Sequence, residues 1–123
     1  MRTNQTLLAL ATALLCLTGT AQAQNAAPST HERLLAWADK RGADDLKDIY
    51  LRCAASSSRA RMDQDAAALC STVSEILMKR SFEGDFNALI AWWKAQPEPT
   101  DFSIAAEMLD ASRYMKAEPQ QKI

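Results

Sequence analysis

Apolar residues recur along this chain at helical spacing. Leu34, Leu35 and Ala38 with His31, then Leu46, Ile49, Tyr50 and Cys53, then Phe86, Leu89, Ile90 and Trp93 each fall on one stripe of an α-helix, at i, i+3, i+4 and i+7. No stretch of residues 24–123 shows the strict apolar-polar alternation of a half-buried strand. The pattern predicts an all-α bundle of four to five short helices. The first opens at Ser29, with Glu32 three residues on completing a capping box, and closes at Gly42. Its predicted inner face is His31, Leu34, Leu35 and Ala38, with Trp37 to one side. The second starts at Ala43 or Asp44 and stops at the serine run 56–58. The third is capped near Asp63 and runs to about Arg80, with Ala66, Leu69, Cys70, Val73, Ile76 and Leu77 facing inward; Lys79 and Arg80 complement the negative pole at its end.

Ser81-Phe82-Glu83-Gly84-Asp85-Phe86 reads as a stop followed at once by a start. Gly84 can take the left-handed conformation that ends one helix, and Asp85 can cap the next. The fourth helix is expected to bury Phe86, Leu89, Ile90 and Trp93 and to end before Pro97. Thr100 is the expected cap of a fifth helix reaching about Lys116, with a loosely specified face of Ile104, Ala105, Met108, Leu109 and Ser112. Residues 118–123 read as a frayed tail.

The first 23 residues follow another logic. Arg2, an apolar run from Leu7 to Leu17, Gly19 and then Ala21-Gln22-Ala23 have the form of a secretory signal peptide cleaved near Ala23. The run is well short of the roughly 20 residues that cross a bilayer, so export is expected and no membrane span. Cys16 leaves with the leader, since bulky Leu15 stands where a lipoprotein needs a small residue. Residues 24–117 are then a single helical domain, periplasmic or secreted. Cleavage takes Arg2 from the 14 Lys and Arg, leaving 13 against 15 Asp and Glu. Charges of both signs are interspersed, and no nucleic-acid partner is expected. Arg52, Arg59 and Arg61, the one basic cluster, read as a solvated face.

Cys53 and Cys70 remain, an even number in an exported chain, and a disulfide is the natural reading. The turn predicted near residues 61–62 lies midway between them, which sets the thiols side by side in an antiparallel helical hairpin. A redox or metal pair is the competing reading, but the C-x16-C spacing lacks the close C-x-x-C of either.

Tyr50-Leu51-Arg52-Cys53, the second cysteine Cys70, and Phe82-x-Gly84-Asp85-Phe86-x-Ala88-Leu89-x-Ala91-Trp92-Trp93 together resemble a group of small exported bacterial proteins of uncharacterised function. The resemblance covers about 45 residues and implies a shared two-cysteine helical scaffold. It carries over no activity.

Candidate chemistry is sparse. His31 is the single histidine, so a two-His metal site cannot be built. Asp44, Asp45 and Asp48 lack the loop spacing and glycine of a calcium hand, and acidic residues in a first helical turn are accounted for by the dipole. Glu83 and Asp85 could be offered as an acid and base, though capping explains Asp85. Glycine is too scarce for a phosphate-cradling loop. No metal or other cofactor is expected, and no enzyme. Trp92 stands apart: with Trp93 in the core stripe, its neighbour is rotated by about 100° to the edge of the buried face, where a tryptophan is a candidate partner contact. The expected function is a non-enzymatic interaction or envelope-accessory protein of the periplasm, its partner another protein or a second copy. A small-molecule or lipid carrier with an apolar cavity is the alternative. A hydrolase is disfavoured by the single His and the missing nucleophile motif.

Overall fold

Side-chain caps start three of the five helices, as the sequence reading placed them. Ser29 Oγ accepts the Glu32 amide at 3.1 Å, Asp63 Oδ1 the Ala66 amide at 2.8 Å, and Asp85 Oδ1 the Ala88 amide at 3.2 Å, each satisfying one of the donors that a helix N-terminus leaves free. The computed structural model describes residues 27–117. They form α1 (Thr30–Asp39), α2 (Ala43–Arg59), α3 (Gln64–Ser81), α4 (Phe86–Lys94) and α5 (Ala105–Ala117), with no strand among the described residues. The expected signal segment, its expected cleavage site and the tail 118–123 lie outside them. The α1 capping box is half made: Glu32 supplies its amide, but no bond from its carboxylate to the Ser29 amide accompanies it. α2 starts behind Gly42 with no side-chain cap, and Asp44 and Asp45 in its first turn meet the positive pole.

α3 ends at Phe82, where Met78 O accepts the amides of both Phe82 (3.1 Å) and Gly84 (2.9 Å). Gly84 is left-handed (φ 78°), as its type allows, and Glu83 before it is left-handed too (φ 53°), a conformation that costs a residue with a Cβ about 1–2 kcal/mol. The reversal therefore uses two residues, with Asp85 free to cap α4 at once.

α3 is the central element. It packs against α1 and α2, and more lightly against α5. Leu69, Val73, Ile76 and Leu77 of α3 meet Leu34, Trp37 and Ala38 of α1 and Leu46, Ile49 and Cys53 of α2; Leu89, Ile104 and Ala111 complete the buried core. Thr72 is buried among them and donates its hydroxyl to Ala68 O at 2.8 Å, so it leaves no unpaired donor. The Cys53–Cys70 disulfide bridges α2 and α3 across a Cα separation of 5.8 Å, within the usual range.

Three faces differ from expectation. In α1 the buried stripe is Leu34, Trp37 and Ala38; Trp37 is 3 % exposed, while His31 faces solvent. Both stripes satisfy the helical period, and burying an indole removes far more apolar area from water than burying an imidazole. In α4 the inward side is Leu89 with Trp92, not Phe86 and Trp93, which are 60 % and 38 % exposed. Trp92 turns in because Tyr50 and Phe82 offer it two ring faces, at centroid separations of 6.0 and 5.6 Å. α5 starts at Ala105 rather than after Thr100, and Ala105 and Leu109 are exposed while Ala111, Met108, Tyr114 and Met115 turn inward. The delay has a local and a distant cause: Asp101 Oδ1 accepts the Ser103 amide at 2.9 Å, and Arg52, 51 positions away, donates to Ser103 O at 2.7 Å, diverting that backbone from a helix. No helix of the described residues is long and apolar enough to cross a membrane.

Candidate functional site

The α2–α3 hairpin and α4 together make an open groove. Its volume is about 430 Å³, and the Cys53–Cys70 bridge, Tyr50, Met62 and Trp93 line it with small residues and the hydroxyls of Ser57, Ser58, Ser71 and Ser74. None of its lining side chains is charged. The Ser57 and Ser58 hydroxyls donate to Ala54 O (3.0 Å) and Ala55 O (2.9 Å), which leaves their lone pairs as acceptors. A second groove of about 240 Å³ adjoins it, sharing Ala54, Ser58 and Trp93 and closed at its far side by Pro97, Glu98 and Pro99.

Trp93 stands between the two grooves. On the surface of α4 it continues a stripe with Phe86 and half-buried Ile90, at i, i+4 and i+7, about 100° round the helix from the buried Leu89 and Trp92. α4 thus carries two apolar faces, and among the described residues the one through Leu89 and Trp92 packs into the core while Phe86 and Trp93 stay exposed. Trp92, the residue singled out from the sequence, is half-buried against Tyr50 and Phe82, with Lys47 Nζ 5.6 Å from its ring centre. The exposed indole belongs to its neighbour. Burial also raises the Tyr50 hydroxyl above its ordinary range, as expected where the charged form would lose hydration.

The other sequence candidates are dispersed. Ser29 caps α1, with Glu32 contributing its amide alone, and Gly84 and Asp85 form the α3–α4 reversal. His31 lies on the α1 surface with Nε2 3.3 Å from Glu75 of α3. Asp45 pairs with Arg41 (2.7 Å) and Asp48 with Arg52 (2.9 Å), while Asp44 is exposed, so the three carboxylates do not converge. Among the described residues no group of three or more His, Cys, Asp or Glu side chains is placed to hold a metal ion.

Arg52 does not belong to a solvated basic face. Its side chain is 13 % exposed and grips Glu107 of α5 at 2.5 Å, Asp48 and the Ser103 carbonyl. The hydrogen bond from Arg52 holds the Glu107 carboxyl below its ordinary range and lifts the guanidinium further above its own, against the opposing effect of burial. Only Asp48, four residues away on the same helix, could have signalled this from sequence; Glu107 is 55 positions distant. Arg59 lies over the Phe102 ring at 4.3 Å and pairs with Glu98, bracing the link that leads to α5.

No protein-family model, curated protein or solved structure matches this chain.

Proposed function

We propose that this chain is a non-enzymatic interaction or envelope-accessory protein, exported by its N-terminal segment to the periplasm, whose docking surface is the outer face of α4. One observation carries the reading. Phe86, half-buried Ile90 and Trp93 form an apolar stripe on a short helix whose adjacent side already fills the core, and the stripe ends at the rim of an uncharged groove. Aromatic residues at the edge of a depression lined by uncharged side chains are the composition of a binding hot spot. The disulfide agrees with an oxidising compartment. A small-molecule or lipid carrier would call for an enclosed apolar cavity, whereas the 430 Å³ space beside Trp93 is open to solvent.

Site-specific photo-crosslinking in the envelope of the native host tests this. A photoreactive residue at Asn87 or Trp93 is expected to give a discrete protein adduct, which the same group at exposed Lys79 does not give. Equal labelling at all three positions, or adducts at none, would remove the α4 surface from consideration.

A further inference from the structure

α5 is fastened to the bundle by charged contacts around a thin apolar seam, in which Met108, Tyr114 and Met115 are half-buried. Of its 13 residues only Ala111 is fully buried, with Ile104 just ahead of the helix. Beneath it, between α1 and α3, lies a cleft of about 150 Å³ lined by Leu34, Leu69, Met108, Ala111 and Met115. Side chains around such a gap forgo the dispersion contacts that close packing would provide. The edges of this joint are polar. Arg52 of α2 grips Glu107 and the Ser103 carbonyl, and Arg41 at the end of α1 pairs with Asp110. Asp110 also accepts the Trp37 indole N–H at 2.9 Å, and Lys40 lies 4.6 Å above the Tyr114 ring. The clasp is incompletely satisfied, since Arg41 Nε and Glu107 Oε2 are buried with no hydrogen-bond partner among the described residues. Residues 95–104, which lead into α5, contain Pro97 and Pro99 and no helix.

We infer that α5 is a strap: it swings away as a unit on the 95–104 link while the disulfide-bridged core of α1, α2 and α3 stays folded, uncovering Trp37, Leu34 and Leu69. A segment with few buried apolar contacts and a polar attachment is the one that opens at lowest free energy. Opening hydrates the two unpartnered groups, which offsets part of the exposure of Trp37. The inference does not rest on the α4 surface: it is argued from the contacts of α5 with α1, α2 and α3 alone.

Hydrogen exchange resolved by residue, on the oxidised mature protein at low and high salt, tests it. Amides from Met108 to Tyr114 are expected to exchange at one common rate, faster than those of α3. Glu107→Gln, which removes one charge-assisted bond and little volume, should speed that common rate roughly tenfold or more and leave α2 and α3 unchanged. Arg41→Gln should act likewise, and high salt should act in the same direction more weakly. Two results would overturn the strap: exchange in α5 that slows progressively from its C-terminal end inward, which is fraying, or α5 exchanging in step with α3 in every variant, which is global unfolding.

Discussion

Reduction of Cys53–Cys70 perturbs this fold without altering any other side chain. The bridge closes a loop across 17 positions, for which the chain-entropy relation gives about 3 kcal/mol of stabilisation at 25 °C. Domains of this size are stable by only about 5–15 kcal/mol, so the bridge supplies a large share of the whole. With roughly 4–8 °C of melting temperature per kcal/mol for a chain of this length, reduction should lower Tm by about 12–24 °C. The assay is thermal unfolding followed by far-UV circular dichroism, on oxidised protein and on the same protein held in a phosphine reductant. Cys70 lines the open groove, so the reductant has access to the bridge. Before melting, the reduced spectrum should match the oxidised one, because Leu46, Ile49, Leu69 and Leu77 still pair α2 with α3. A fall of less than about 4 °C would refute the reasoning, since it would mean that the unfolded hairpin is already as restricted without the bond as with it.

Four substitutions test the packing and the electrostatics. Trp92→Ala should destabilise by about 1–3 kcal/mol, since it empties a half-buried contact with Tyr50 and Phe82, while Trp93→Ala should stay within about 0.5 kcal/mol by urea unfolding; the reverse order would restore the assignment expected from sequence. Leu77→Ala, at a fully buried position of the central helix, should cost about 2–5 kcal/mol in the same assay. Glu107 governs an acid limb: its folded pKa lies below its unfolded one, so its contribution is complete above the ordinary glutamate range and is lost as pH falls through the folded value. Arg52 and Arg41 are the charges that act on it, and Asp48, Asp45 and Asp110 pair with those two arginines. Glu107→Gln should therefore be less stable than the parent at pH 7 and fall less steeply below about pH 4, as read by melting temperature against pH.

What was legible in the sequence was local. Ser29, Asp63 and Asp85 accept amides three residues on, so a short window contains the whole interaction. The disulfide followed from two cysteines equidistant from one turn, and the α3 stripe from a single unbroken period. The faces of α1 and α4 were not legible, because His31-Leu34-Leu35-Ala38 and Leu34-Trp37-Ala38 are equally periodic, as are the stripes through Trp93 and Trp92. Which one turns inward depends on what waits across the gap: Asp110 for the Trp37 indole, Tyr50 and Phe82 for Trp92. The late start of α5 and the role of Arg52 rest on contacts more than 50 positions apart, which no helical period encodes. The candidate docking stripe was therefore found one residue along from the tryptophan that the sequence pointed to.

Native mass spectrometry of the protein purified from its native host under non-reducing conditions tests the central proposal most directly. An exported interaction protein predicts a chain beginning at Gln24, two hydrogens short of its reduced mass, in complex with a second protein chain that Trp93→Ala releases. A chain retaining residues 1–23, or a mature chain carrying a small molecule and no protein, would contradict it.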